Sequence, residues 1–417
     1  MGYRKYLTVL MRPDAAFAAI WVLVLAIYSP AIVNFFPEPN TTIFLMVAGS
    51  IAIAAGGSFL LERFTPSAVA APPPTDLVIF STPFILAVFA VWTAGFALII
   101  AYSGGLPVFW SIEGLDRYYY DYGVPTFSGA WNTLRIVISI LATIALVRSS
   151  SFRWVLALII ALLTLTVVAE INRGGYVLYC LNVVAAGALV APSFKRQVAW
   201  VAVLAIATLG GIYGIGSVRS IDAKATVAIA APFEVAQGAT DTTNPTAAQP
   251  TAATKAVRDL MEKSAAVSWV YLYLTTPIAN LHLAANETLK AAPFPGFYSL
   301  YPFLPSVIRP DLLPEDRYPL PLASLAYTMS SGYGTYIADF GFAGASVIMG
   351  LQLLLGIWVF KLARYHVWAQ ILFPMFFAIS MLSFFTNYFV TLLTPFHMAL
   401  AVLLGVIIPR FWSPKQA

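Results

Sequence analysis

The sequence predicts an all-α polytopic membrane protein with about ten transmembrane helices and one large outer loop between the seventh and the eighth. Three observations predict this fold class. Of the 417 residues, 60% are hydrophobic and only 10% are charged, and the mean hydropathy is +0.82, whereas water-soluble domains are far less apolar. Apolar runs of membrane-spanning length recur along the chain, and cations concentrate in alternate loops between them.

The apolar runs are each close to the roughly 20 residues that a membrane helix requires. In order, they cover residues 15–33, 41–61, 77–101, 131–147, 152–168, 176–190, 198–215, 336–360, 367–388 and 391–408. A short basic segment precedes the first run, but no small-residue cleavage site follows it. We therefore expect a retained first helix rather than a signal peptide.

The positions of Lys and Arg predict the orientation, because these residues remain preferentially in short cytoplasmic loops. One side holds Arg4, Lys5, Arg12, Arg63, Arg148, Arg153, Lys195, Arg196, Lys361, Arg364, Arg410 and Lys415. The short loops and helix ends of the other side hold only Arg117, Arg135 and Arg173. Both termini are therefore predicted to be cytoplasmic, and the long loop is predicted to lie outside.

The chain divides into three regions by composition. Residues 1–216 hold predicted helices one to seven, residues 217–335 form the large outer loop domain, and residues 336–417 hold helices eight to ten with a short cytoplasmic tail. Within the loop, residues 237–254 are mainly Ala, Thr and Pro and are expected to be flexible.

Two further segments of the loop have their own patterns. From about 255 to 275, apolar residues recur at helical spacing with charges opposite, which predicts an amphipathic helix on the outer membrane surface or against the bundle. We expect Pro277 to end it. Residues 293–321 are dense in Pro and aromatic residues, and this composition favours an irregular cap over strands.

Composition also excludes several functions. The net charge of +5 is spread along the chain without the basic run that nucleic-acid binding requires. The single Cys180 cannot form an intrachain disulfide, and the three scattered histidines have no metal-ligand spacing, so we expect neither metal nor cofactor. There is no phosphate-binding GxxxxGK[ST] loop and no Asp-x-Asp pair, so any sugar donor would be lipid-linked.

Six arginines are predicted at the outer face: Arg117, Arg135, Arg173, Arg219, Arg309 and Arg317. A charge in a membrane helix costs about 2.5 to 3.5 kcal/mol of insertion free energy, so we expect the arginines near helix ends to have a structural or functional role. Guanidinium groups bind phosphate oxygens bidentately, and an outer-leaflet pyrophosphate would be a fitting partner. The alternative is internal pairing, for example of Glu170 with Arg173 or of Asp116 with Arg117.

Other polar and aromatic residues complete the candidate set. Asp339 follows SGYGTY closely and could take a proton from an acceptor hydroxyl, or it could orient an arginine. His282 in the outer loop and His397 in the last helix could also act as bases. Weaker candidates for contact with a glycan are Arg117, Tyr120, Tyr333 and Tyr336, although an interfacial aromatic belt would also use tyrosines.

Five segments carry a family resemblance. They are YSGGLPVF (102–109), NRGGYVLY (172–179), GIGSVRS (214–220), YLYLTTPIANL (271–281) and SGYGTYIADFGFAGA (331–345). The last, in which Tyr is followed by Asp-Phe-Gly after a large outer loop, is the most specific. With these segments in this order, the sequence resembles the Wzy-type O-antigen polymerases, which join oligosaccharide repeat units in bacterial envelopes.

The resemblance implies a GT-C-like fold in the bacterial inner membrane with a periplasmic active site and no metal. It also implies that the large outer loop is periplasmic. The implied donor and acceptor are undecaprenyl-pyrophosphate-linked glycans, and a chain-length regulator and a flippase are possible partners. Arg173 and Arg219 match family motifs best and would bind the pyrophosphate. Arg309 and Arg317 match only by lying in the second part of the outer loop. Asp339 or His282 would serve the acceptor hydroxyl.

Three alternatives remain open at this point. An O-antigen ligase shares the fold class and the lipid donor but depends on a histidine in the large outer loop, for which His282 is the sole candidate. The Asp-Phe-Gly segment favours a polymerase. A lipid-linked oligosaccharide flippase would place ionisable residues along a mid-membrane pathway, whereas here they cluster at the outer face. The third alternative is a non-catalytic partner of a synthesis complex.

Overall fold

The structure of the protein is a computed structural model. It describes residues 11–29, 36–64, 77–115, 117, 121–148, 152–193, 195–203, 206–207, 210–211, 265–287, 289, 292–304, 320–323 and 329–412. Over these ranges the regular secondary structure is helical, apart from one isolated bridge between Ser331 and Thr386. The segment 237–254, expected to be flexible, and residues 255–264 of the predicted amphipathic helix lie outside the described residues.

The structure describes thirteen α-helices with the following bounds. They are α1 Pro13–Tyr28, α2 Thr41–Phe64, α3 Thr82–Ser103, α4 Pro107–Glu113, α5 Phe127–Arg148, α6 Arg153–Ala169, α7 Arg173–Val190, α8 Ala265–Asn286, α9 Phe297–Leu300, α10 Gly334–Leu362, α11 Val367–Leu382, α12 Leu393–Val402 and α13 Ile408–Trp412. A π-helical stretch, Leu403–Ile407, joins the last two. Residues 195–203 are also helical.

Six helices of the described chain are long and apolar enough to cross a membrane. They cover Thr41–Leu61, Thr82–Glu113, Phe127–Arg148, Arg173–Val190, Gly334–Leu362 and Leu393–Phe411. Three shorter helices, α1, α6 and α11, are also apolar. The prediction of an all-α polytopic membrane protein is therefore confirmed at this level. The count of ten, the orientation and the large periplasmic loop stay predictions.

Among the described helices, α2 and α10 share the most extensive contact, and small residues permit a close approach. A side chain at Gly350 would collide with Ile53 and come within 3.1 Å of the Ser50 carbonyl oxygen. The Ser346 hydroxyl donates to the Met46 carbonyl at 2.9 Å, and the Ser50 hydroxyl donates to the Ser346 carbonyl at 3.0 Å. Close backbone approach and hydrogen bonds of this kind hold helices together in lipid, where the hydrophobic effect gives little.

Helix α10 is present where a single helix was expected, but it is interrupted. Gly341 has φ 69° and ψ −180°, a conformation that separates a short arm, 334–340, from a long arm, 342–362. The Gln352 amide donates to the Tyr336 hydroxyl, although residues 16 positions apart would be about 24 Å apart in a straight helix. The short arm therefore folds back along the long arm.

A second interruption lies in the neighbouring helix. Helix α11 ends at Leu382, six positions before the end of the predicted run 367–388. The backbone then turns, and the Trp21 indole donates to the Ser383 hydroxyl at 2.9 Å. The amide of Gly332 donates to the Ser383 carbonyl. Two non-helical segments thus meet inside the bundle, where each satisfies backbone groups of the other. Such groups cannot be left without partners in lipid.

Helix α8 corrects another expectation. Pro277 was predicted to end the helix, but it lies inside it, and the helix continues to Asn286. Proline removes one backbone donor, and this loss is tolerated because Ile278 and Leu281 beyond it are fully buried against the bundle. The following turn also presents Asn280, whose amide donates to the Met329 carbonyl at 2.7 Å.

Candidate functional site

The turn between α6 and α7 presents Arg173. Glu170 is the C-cap of α6, Ile171 has a left-handed φ of 52°, and Asn172 is the N-cap of α7. The Asn172 side chain accepts a hydrogen bond from the Gly175 amide at 3.0 Å, which satisfies one of the free donors of the helix N-terminus. Arg173 is the first residue of α7 and is 5% exposed.

A buried ion pair supports this turn. Glu170 accepts hydrogen bonds from both terminal nitrogens of Arg135, at 2.7 and 2.9 Å, and the two side chains are 6% and 9% exposed. The partner of Glu170 is therefore Arg135, and the alternative pairing with Arg173 is not the one formed. Arg135 therefore pairs internally, which was the alternative to anion binding considered for each arginine. Arg173 is the other arginine at this turn.

Aromatic side chains surround Arg173. The guanidinium carbon lies 5.3 Å from the centroid of the Tyr273 ring in α8, within the range of a cation–π interaction. The Tyr273 ring also stacks on that of Phe385, with centroids 5.7 Å apart. A side chain added at Gly174 would lie 2.8 Å from the Tyr388 hydroxyl. The glycine after Arg173 therefore lets residues 385–388 approach closely.

The residues around Arg173 connect to the short arm of α10. Ser331 forms a parallel bridge with Thr386, and the Ser331 amide donates to the Phe385 carbonyl at 3.2 Å. The Asn387 amide donates to the Thr335 hydroxyl at 2.9 Å. Three segments that are far apart in the sequence thus meet here, namely NRGGYVLY, YLYLTTPIANL and SGYGTYIADFGFAGA.

Asp339 lies in the short arm and holds the segment expected to form a cap. Its carboxylate accepts hydrogen bonds from the amides of Tyr298 and Ser299, at 3.0 and 2.7 Å, and from the Ser299 hydroxyl at 2.6 Å. These amides belong to the first turn of α9, so Asp339 acts as an N-cap supplied from another helix. The carboxylate is partly exposed.

Tyr333 and Tyr336, two of the weaker candidates for contact with a glycan, are buried. The Tyr333 ring is fully buried, packs edge-on against Trp21 with centroids 5.3 Å apart, and donates its hydroxyl to Ser50 at 2.7 Å. Tyr336 is 2% exposed, and its hydroxyl accepts from Gln352. Both residues fix the short arm of α10 in the bundle rather than present a surface to a sugar.

His282 is fully buried on α8, which is not among the candidate membrane-spanning helices. Its Nδ1 accepts a hydrogen bond from the Asn40 amide at 2.8 Å, and its ring stacks on Tyr28 at 4.8 Å. Burial lowers its pKa to about 4. The ring is therefore neutral with its proton on Nε2, and the one acceptor nitrogen is already used. This geometry does not offer a general base.

The remaining predicted residues lie apart from this cluster or outside the described chain. His397 is fully buried, with Nε2 3.0 Å from the Ile371 carbonyl. Arg117 is exposed, donates to the Ser103 carbonyl at 3.0 Å and lies over Trp110. The residues outside the described chain are Tyr120, Arg219, Arg309 and Arg317. Within the described ranges, no three His, Cys, Asp or Glu residues group as metal ligands would.

Sequence reasoning did not select Phe385, Asn387 or Tyr388. All three lie at the end of the predicted run 367–388, since periodicity cannot distinguish a long helix from a helix followed by a buried turn. The available signal was the polar pair Thr386 and Asn387 inside the predicted helix, because Asn favours caps and turns over helix interiors.

Comparison of the chain with family models, curated proteins and solved structures finds no match. The resemblance to the polymerases therefore stays a prediction that rests on the quoted segments.

Proposed function

We propose that the protein is a polysaccharide polymerase that joins undecaprenyl-pyrophosphate-linked oligosaccharide repeat units at the periplasmic face of the inner membrane. The observation that supports this most is the meeting of three of the segments on which the resemblance rests. Tyr273 of YLYLTTPIANL lies against the buried Arg173. Phe385 stacks on Tyr273, and the adjacent Thr386 forms a bridge with Ser331 of SGYGTYIADFGFAGA. Segments that resemble one family would be expected to converge if they form one site.

In this proposal Arg173 binds the pyrophosphate of the donor. Its guanidinium is 5% exposed and rests on the Tyr273 ring, so its orientation is set before a ligand arrives. In a poorly hydrated site, a fixed cation stabilises the negative charge that develops on a leaving pyrophosphate more than it would in water. Arg219, Arg309 and Arg317 would add positive charge from the outer loop.

The reaction transfers the growing glycan from its lipid carrier. An acceptor hydroxyl on the new repeat unit attacks the anomeric carbon of the donor glycan and forms a C–O bond with it. The bond from that carbon to the pyrophosphate oxygen breaks, and undecaprenyl pyrophosphate leaves with the electron pair. The hydroxyl proton passes to a base, which we assign to Asp339 because it is the partly exposed candidate of the two.

The ligase alternative requires a histidine that can act on a substrate. His282 is fully buried, and its acceptor nitrogen already binds the Asn40 amide. This arrangement supports a packing role for the histidine, and it therefore favours a polymerase over a ligase as the proposal. A flippase would need charges along a central pathway, whereas the buried charges of Arg135 and Glu170 neutralise each other.

Deletion of the gene in its native host, followed by a gel of the surface glycans, tests the proposal. We expect polymer to disappear while a single repeat unit still reaches its final acceptor, and the restored gene should recover the polymer. If polymer instead accumulates on the lipid carrier and the acceptor carries no glycan, the protein is a ligase. Loss of both the polymer and the single unit would indicate a flippase.

A further inference from the structure

An open groove of about 340 Å³ lies at the end of the bundle away from Arg173. Its apolar wall consists of Leu146, Val147, Ala199, Trp200 and Val203. Two arginines, Arg153 and Arg196, complete the lining. The groove shares no residue with the candidate site around Arg173.

The helical segment 195–203 builds one wall of the groove and is fixed to α7. The Gln197 side chain donates to the Ala188 carbonyl at 3.1 Å. Trp200 packs so closely on Gly187 that any side chain there would collide with the indole. The other walls are the end of α5 and the beginning of α6. The groove is therefore held by helix packing.

Neighbouring aromatic residues indicate the depth of the groove in the membrane. Arg153 is the first residue of α6, and the side chains on either side of it, Phe152 and Trp154, are 62% and 71% exposed. Large exposed aromatic residues next to a helix end are typical of the level of the lipid headgroups. The two arginines thus lie where lipid phosphates lie, and the apolar wall lies beside them.

A third arginine at this end, Arg148, has a structural role. It donates to the Gln370 side chain at 2.9 Å and lies over the Phe80 ring at 5.1 Å. Arg153 and Arg196 differ from it because both are exposed and line the groove. A ligand with an anionic head could therefore reach both guanidinium groups.

We propose that this groove binds an anionic phospholipid. The lipid phosphate would contact Arg153 and Arg196, which as guanidinium groups bind phosphate oxygens in pairs, and an acyl chain would lie along Trp200 and its apolar neighbours. Basic pockets between membrane helices bind anionic headgroups in this way. Because the groove is open and apolar on one side, the shape fits a lipid better than a free phosphate ion.

The test measures lipids retained by the full-length protein. The purified chain in a non-ionic detergent is mixed with dioleoyl phosphatidylglycerol or dioleoyl phosphatidylcholine, and bound lipids are counted by native mass spectrometry. We expect the wild type to retain phosphatidylglycerol preferentially. Each arginine near an anionic lipid contributes about a fivefold preference, so Arg153→Gln with Arg196→Gln should remove most of it.

Two further variants separate the groove from general surface charge. Ala199→Trp places a large side chain in the groove where the acyl chain would lie, and it keeps both arginines. It should also lower lipid retention severalfold. Arg364→Gln with Arg410→Gln removes two exposed arginines outside the groove lining and should change retention little. Equal losses in this control and in the groove variant, or unchanged retention in Ala199→Trp, would overturn the proposal. Loss of bound lipid on addition of inorganic phosphate at the same concentration as the lipid would also overturn it. None of these outcomes depends on glycan transfer.

Discussion

Glu170 and Arg135 form a two-point ion pair that is almost completely buried, with nitrogen–oxygen distances of 2.7 and 2.9 Å. Glu170 lies three residues before Arg173, in the turn that starts α7. The pair therefore joins α5 to the end of α6 at the place where the backbone must be fixed if Arg173 is to keep its orientation over Tyr273.

The first prediction concerns this pair. Glu170→Gln leaves the Arg135 charge buried without a carboxylate, a change that costs about 3 to 5 kcal/mol. We expect a large fall in the Tm of the purified protein, measured by scanning fluorimetry. The matched control is Asp14→Asn, because the Arg12–Asp14 pair is more exposed, at 29% and 13%, and such pairs contribute about 0 to 1 kcal/mol. Similar Tm changes in the two variants would contradict a stabilising role for the pair.

The second prediction tests phosphate binding by Arg173. Arg173→Lys keeps the positive charge but loses the two-point contact with phosphate, and we expect polymer formation from purified lipid-linked repeat units to fall about 10- to 100-fold. Arg364→Lys is the control, since Arg364 also lies over an aromatic ring, that of Phe360, at 5.9 Å. Activity within a fewfold of wild type for Arg173→Lys would exclude bidentate binding at this position.

The third prediction separates two roles of Asp339. If its carboxylate is the base, Asp339→Asn should lower kcat by about 100- to 10,000-fold. Ser299→Ala removes one of the three donors to Asp339 but keeps the carboxylate, so it should cost only a fewfold. If both variants lose activity and Tm to the same extent, Asp339 acts by holding α9 and is not the base.

The fourth prediction concerns the contact between the segment before α10 and the turn after α11. A methyl group at Gly332 would lie 2.8 Å from the Ser383 carbonyl oxygen and 3.1 Å from Met349. Gly332→Ala should therefore lower stability by about 1 to 3 kcal/mol and reduce activity with it. Gly129→Ala in α5 has open space around the new methyl group and should be neutral or slightly stabilising. A stable and active Gly332→Ala protein would argue against the packing described.

The fifth prediction is a pH dependence of stability caused by His282. Its pKa is lowered to about 4 by burial, whereas the unfolded chain has the ordinary value near 6.5. Between these values the unfolded state binds more protons, so stability is full above pH 6.5 and falls as the pH drops toward 4. The total loss is about 3 kcal/mol.

The measurement is the Tm of the wild type between pH 7.5 and 4.5 beside that of two variants. His282→Gln should show a smaller decrease of Tm over this range, because the titrating group is absent. His366 is exposed, and His366→Gln should retain the wild-type decrease. A wild-type slope in His282→Gln would assign the pH dependence to another group.

Much of the fold was predictable because hydropathy reports directly which residues can enter lipid. Continuity was not. The predicted runs 336–360 and 367–388 are mostly apolar, yet α10 is interrupted at Gly341 and α11 ends at Leu382. After α11, a tertiary hydrogen bond from the Gly332 amide to the Ser383 carbonyl supplies what the ended helix lacks. Pro277 shows the opposite error, because it was predicted to end its helix and does not. Its helix continues because burial of the following residues outweighs one missing hydrogen bond.

The candidate site was predictable to a similar extent. Arg173 stood out because a charge near a membrane helix end needs a partner. In the sequence, Tyr273 lies 100 residues and Phe385 lies 212 residues after Arg173. No local pattern reports contacts at such separations. For the same reason, sequence spacing favoured Glu170 with Arg173, whereas the fold brings Arg135 of another helix to Glu170.

The contact between Ser331 and Thr386 also bears on the order in which the protein is made. During synthesis the backbone at Ser331 is complete well before its partner leaves the ribosome, so the short arm of α10 must wait for α11 to be inserted before it can settle. The surroundings of Arg173 are therefore finished last, by residues near the C-terminal end. A nascent chain that stops after α10 would carry Arg173 and still lack residues 385–388, which pack beside it.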